Sequence, residues 1–254
     1  MELGIRGRLA LVTGASSGLG RACALALAAE GARLAIGARR LDLLEEAAAE
    51  ARAAGSPDAR AYALDLADPA SIDAMLAAMR EGQGDAEIVI ANSGPPKAGA
   101  AANLTLEDWD AAYGPTMRSM LQIVYAVLPA MRERGWGRIV NLSSSALKTP
   151  IPNLTLSNAF RAGLLGALKT LSREVAGDGV TINVIATGKI ETARARSFYA
   201  APGSWEKQQA EIPFGRFGKP EELAPLVAFL CGDGARYISG TTISVDGGLS
   251  PTLT

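Results

Sequence analysis

Between Leu9 and Gly20 the chain reads L-A-L-V-T-G-A-S-S-G-L-G, an apolar run that stops at Thr13 and opens into glycines before the Ala/Leu-rich segment Arg21 to Ala29. That is a strand, a glycine turn and a helix, the repeating unit of an α/β fold. Gly14, Gly18 and Gly20 carry no Cβ to hold backbone N–H groups away from a pyrophosphate, and the helix start directs its dipole at negative charge. The spacing is T-G-x-x-x-G-x-G and differs from the common G-x-G-x-x-G. One glycine would serve a tight packing turn. Three within seven positions, beside Thr13 and Ser16, point to phosphate and so to a bound dinucleotide.

The rest of the chain continues the alternation. Arg33 to Ala38 reads as a second strand, followed by Arg39-Arg40 and a helix over Leu43 to Ala54. About 20 residues past a glycine loop, a dinucleotide fold places an acid for a free ribose 2′-hydroxyl or an arginine for a 2′-phosphate. The acid position holds Ala38 and Arg39 comes next, which favours NADP(H) over NAD(H); Arg40 reads as a cap on the surface turn. Further strands are expected at Ala61 to Leu64, Glu87 to Ala91, Arg138 to Leu142, Val180 to Ile185 and Thr242 to Val245. Helices are expected from Asp68-Pro69, from a capping box at Thr105 through Arg134 with interruptions at Pro115 and Pro129, over Leu156 to Ala176, and from Pro220 to about Leu230. Lys189 to Phe217 has no clean period and reads as an excursion over the site, a substrate lid.

Composition excludes several classes of function. With 254 residues and 48% hydrophobic content, one doubly wound parallel domain spanning 1–254 can bury both sheet faces. A formal net charge of −1 gives no footprint for nucleic acid. No apolar run reaches membrane-spanning length and the N-terminus has no apolar signal core, so neither a membrane nor export is expected and the location reads as cytoplasmic. There is no histidine, which removes Ser/His/Asp and Cys/His catalysis and the commonest zinc ligand; no metal site is expected. Cys23 and Cys231 read as buried inert thiols.

Four motifs fall in order at characteristic distances: Thr13 to Gly20, Asn92-Ser93-Gly94, I-V-N-L-S-S at Ile139 to Ser144, and V-D-G-G at Val245 to Gly248. Over nearly its whole length the chain resembles a short-chain dehydrogenase/reductase. Its R-F-G-K-P-E-E-L-A run at Arg216 to Ala224 is similar to 3-oxoacyl-(acyl carrier protein) reductases. The resemblance implies a Rossmann-type, doubly wound, parallel seven-stranded sheet in three α/β/α layers, a nicotinamide cofactor, a small-molecule carbonyl or alcohol substrate, and a homotetramer or homodimer. It places Gly14, Ser16, Ser17, Gly18 and Leu19 at the pyrophosphate and nearby ribose, and Arg39 at the 2′-phosphate. Asp65 and Leu66 fall at the adenine, Asn92 and Gly94 near the ribose and nicotinamide, and Thr187 and Gly188 complete the cofactor contacts. Read from the residues alone, Asp65 is equally a turn residue after a strand.

The same resemblance exposes departures. The family pairs a serine with Y-x-x-x-K thirteen residues on and an asparagine in the preceding long helix. Ser144 is that serine, but the tyrosine position falls on Ser157, the lysine position on Arg161 and the asparagine position on Thr116. An aliphatic hydroxyl is a far weaker acid than a phenol, and an arginine holds ribose hydroxyls without passing protons. Two readings follow. One is an NADP(H)-dependent oxidoreductase with an atypical Ser/Arg pair; the other is a weakly active or inactive NADP(H)-binding protein serving as sensor or partner subunit. Tyr199 and Tyr113 are the tyrosines considered as proton sources, although packing is the ordinary role for each.

Overall fold

The structure is a computed structural model and describes residues 2–253. Its seven strands are β1 (Leu9–Thr13), β2 (Arg33–Ala38), β3 (Ala59–Ala63), β4 (Ile88–Asn92), β5 (Gly137–Leu142), β6 (Val180–Thr187) and β7 (Thr242–Val245). They form one parallel sheet in the order β3-β2-β1-β4-β5-β6-β7. The helices are α1 (Gly18–Ala29), α2 (Leu41–Ala54), α3 (Pro69–Gln83), α4 (Leu106–Tyr113), α5 (Ser119–Arg134), α6 (Thr155–Glu174), α7 (Ala193–Phe198), α8 (Ser204–Ala210) and α9 (Pro220–Cys231). This is the expected doubly wound Rossmann-type architecture in a single domain.

Both faces of the sheet are covered, which is why β1 is apolar at every position up to Thr13. Ala10 and Val12 join Leu27 of α1, Leu44 of α2 and Val227 of α9 on one face. Leu9 and Leu11 join Leu76 of α3, Ile123 of α5 and Leu164 of α6 on the other. Helix starts follow local chemistry. Asp68 accepts from the Ala70 N–H at 2.9 Å with Pro69 beginning α3, and Thr105 forms the capping box of α4 with Asp108.

The long helix expected through Arg134 is broken at Gly114–Arg118, a π-helical turn between α4 and α5. Pro115 has no N–H to continue the ladder, and the Ser119 hydroxyl donates to the Pro115 carbonyl at 3.0 Å. Pro129, by contrast, lies inside α5. β6 runs two residues beyond its expected end, because Ala186 and Thr187 pair with Ser244 and Val245 of β7. Among the described residues no helix is long and apolar enough to cross a membrane, and no metal-binding cluster is present. Both cysteines are free and buried; burial pushes the Cys23 thiol up to about 12, as expected of an inert group.

Chain order reverses between β1 and β4, so the loops after these strands diverge and open a crevice at the carboxyl edge of the sheet. The Asn92 N–H donates to Thr13 Oγ1 at 2.8 Å, and that hydroxyl donates to the Asn92 carbonyl at 2.7 Å. The two loops are thereby fixed side by side.

Candidate active site

The glycine loop is shaped by two close approaches. Gly14 has φ of +63°, and a Cβ there would lie 2.7 Å from Asn92 Nδ2. A Cβ on Gly20 would lie 2.3 Å from the Gly14 carbonyl oxygen. Ser17 precedes α1 in extended geometry, its side chain makes no capping bond, and the first turn holds no acid. The N-terminal N–H groups of α1 are therefore left for an anion, which is the requirement of a pyrophosphate cradle.

Around this cradle, Arg39 is exposed at the end of β2. Arg40 stands at the N-cap of α2, as a turn residue should, but its guanidinium turns back to the loop and reaches the Ser16 and Ser17 hydroxyls, each at 3.5 Å. Sequence reasoning gave Arg40 no part in the site, since the direction of an exposed side chain leaves no periodic signal. The Asp65 carboxylate accepts from the Ala67 N–H at 2.9 Å, which is a turn role; Leu66 beside it is half-buried. Gly94 faces open space.

Across the crevice, Ser144 follows β5 and its Oγ accepts from the Ala146 N–H at 3.2 Å. Ser157 and Arg161 lie one turn apart on α6 and are 5% and 7% exposed. Arg161 Nε donates to Ser157 Oγ at 3.1 Å and Nη1 to the Leu142 carbonyl at 3.5 Å. No carboxylate of the described residues reaches Arg161, and burial lowers its guanidinium to about 10, still protonated at neutral pH. Leu19, Asn92, Ser144, Ser157, Arg161 and Gly188 share the wall of one cavity of about 630 Å³. Thr187 lies there too, and its hydroxyl donates to the Ser143 carbonyl at 2.7 Å, tying the ends of β5 and β6.

Other expected residues stand apart. Thr116 sits in the π-helical turn, 1% exposed, its hydroxyl unpartnered and away from the cavity wall. Tyr113 is also off that wall, its ring 5.9 Å from Phe160. Tyr199 does reach the cavity, packed 6.0 Å from Phe217 and 6.4 Å from Trp205. Burial, then the charge of Glu211, raises its phenol above the ordinary value. Sequence reasoning missed three wall segments: residues 95–98, 149–152 and 249–251. Asn158 braces the middle one by bonding both backbone groups of Ile151, at 3.1 and 3.2 Å. Prolines in all three segments were the only available sign of fixed loops.

The family described as enoyl-(acyl carrier protein) reductase matches residues 14–250. The chain is 35% identical over 247 residues to the 3-oxoacyl-(acyl carrier protein) reductase FabG of Escherichia coli strain K12, covering 97% of this chain and 99% of that one. Among solved structures, L-sorbose reductase from Gluconobacter frateurii, complexed with NADPH and L-sorbose, superposes with a TM-score of 0.94 at 32% identity and 100% coverage of both chains. YwfH, an NADPH-dependent reductase involved in bacilysin biosynthesis, gives 0.93 at 29% identity, covering 97% of this chain and 100% of the other. Similarity of this extent, on a sheet of this order, means that the chain belongs to the short-chain dehydrogenase/reductase family of oxidoreductases.

Proposed function

We propose that the chain is an NADP(H)-dependent oxidoreductase acting on the carbonyl or alcohol of a small molecule, ketoacyl reductase-like, with Ser157 and Arg161 in the family's tyrosine and lysine places. The observation that carries this reading is the shared cavity: Leu19 and Asn92 from the glycine-loop side and Ser144, Ser157 and Arg161 from the other line one space. The uncapped start of α1 and the Cβ-free glycines fit the cofactor's pyrophosphate, to be held by Gly14, Ser16, Ser17, Gly18 and Leu19. A nicotinamide bound there supplies or accepts hydride.

The serines orient the substrate oxygen. Ser144 Oγ accepts from a backbone N–H and Ser157 Oγ accepts from Arg161, while neither hydroxyl proton has an acceptor among the described residues. Each is thus a donor available to an oxygen that gains negative charge, and the Arg161 cation adds to that stabilisation. Neither serine is an acid of useful strength at neutral pH, so the proton is supplied from elsewhere on the cavity, by the Tyr199 phenol that lines it or by a water. Residues 189–217, with α7 and α8, form the lid over this space, latched by Lys189 Nζ on the Glu211 carboxylate at 2.6 Å and the Gln208 carbonyl at 3.0 Å.

NADPH fluorescence titration followed by oxidation assays with 3-oxoacyl thioesters, diketones, quinones and aldehydes tests this function. Tight binding with no turnover on the whole panel would favour a non-turnover, cofactor-binding role instead. For cofactor choice, Arg39 and Arg40 flank the place of a 2′-phosphate. Arg39→Ala and Arg40→Ala are each expected to weaken NADPH by about tenfold, as loss of one charge-assisted contact does, with NADH little changed. Equal losses for both cofactors would contradict the 2′-phosphate role.

A further inference from the structure

We infer that the substrate of this cavity carries a carboxylate as well as its carbonyl, and that Arg161 holds it. The inference rests on the proposed reading that substrate and cofactor meet in this cavity. A guanidinium has five N–H donors, and Arg161 uses one on Ser157 and one, at the limit of bonding distance, on the Leu142 carbonyl. Its Nη2 donates to nothing among the described residues, yet the side chain lies on the cavity wall. Arginine is almost never buried without an acid, because the desolvated charge is so costly. Ribose hydroxyls would satisfy N–H groups but leave that charge unneutralised. A ligand anion does both.

The charge of the wall agrees. Its cations are Lys97, Arg161, Lys189 and Arg194; Lys189 engages Glu211 at 2.6 Å and Lys97 engages Asp108 at 2.7 Å, which leaves Arg161 and Arg194. The cofactor's pyrophosphate has its own cradle at the start of α1, on the opposite side of the crevice from α6. The planar fork of Arg161 fits a carboxylate through two parallel bonds, which a lysine cannot offer.

Calorimetric titration of the full chain saturated with NADP+ tests this. The probes are benzoylformate, benzoylacetate and 3-benzoylpropionate, which are 2-, 3- and 4-oxo acids, each against its methyl ester. At least one acid is expected to bind about tenfold or more tightly than its ester. That ratio should fall to near one in Arg161→Met and be partly kept in Arg161→Lys. The proposal is overturned if no acid is preferred by the unaltered protein, or if the preference survives Arg161→Met, which would assign the anion to Lys97 or Arg194. It is equally overturned if Arg161→Met weakens NADP+ and leaves the acid-to-ester ratio unchanged, since Arg161 then serves the cofactor alone. Failure of NADP+ to bind would sink the cofactor reading, and the ratio would still be read on the free protein. If Arg161→Met does not fold, Arg161→Gln and Arg161→Lys carry the same comparison.

Discussion

Ser157→Tyr combined with Arg161→Lys is expected to raise the rate of ketone reduction by about 10²- to 10⁴-fold, the range a positioned general acid contributes. The variant places a phenol on the wall where the serine now offers only a hydrogen bond, and a neighbouring ammonium draws the phenol's pKa down from about 10 toward neutrality. Ser157 is nearly fully buried, but it borders a cavity of about 630 Å³ into which the larger ring can extend. Methyl benzoylformate is the substrate of choice, because a neutral ester does not register the loss of the arginine's charge selectivity. Single-turnover oxidation of bound NADPH reports the chemical step directly. An unchanged rate in a folded, NADPH-binding variant would mean that position 157 does not face the reacting carbonyl. Ser157→Tyr alone should recover part of the gain, since Arg161 is also a cation beside the new phenol.

The fold was legible because its signals are local and repeat. β2 and β7 fall where their apolar runs end, and the caps at Asp68 and Thr105 mark their helices. The glycine turn was legible for the same reason, since positive φ at Gly14 and Gly18 is a local demand on the backbone. Pro115 and Pro129 look alike in sequence and behave differently in the structure. The first ends regular winding in a π-helical turn packed against α6, and the second is absorbed within α5. Tertiary packing decides such cases. The isolation of Arg161 was likewise invisible, since a missing acid is a fact of three dimensions. So was the convergence on one cavity of residues 95–98, 149–152 and 249–251, brought together only by the order of the strands.

Arg161→Met is expected to stabilise the ligand-free protein while impairing its function. Burial lowers the Arg161 guanidinium from the ordinary arginine range to about 10, a penalty on the charged form of about 3 kcal/mol. Against this stands the bond to Ser157 Oγ, about 1.5 kcal/mol for a charged donor at 3.1 Å, while the contact to the Leu142 carbonyl at 3.5 Å adds little. The net gain of about 1–2 kcal/mol corresponds to a rise in Tm of about 2–8 °C for a domain of this size. The sign with pH is distinctive. The folded value lies below the unfolded one, so the penalty is present in full below about pH 10 and is relieved only above it. The rise in Tm should therefore be the same at pH 6 and pH 9. A fall in Tm would show that the two bonds outweigh desolvation and would remove the energetic basis for a ligand anion at Arg161. With a saturating oxo acid the gap should close by about 1.4 kcal/mol for each tenfold in affinity lost, because a ligand that neutralises the charge gives more stabilisation to the protein that holds it. A buried cation kept at a cost to the free protein, and compensated when an anion binds, links affinity to the one group on α6 that the family resemblance led one to expect as a lysine.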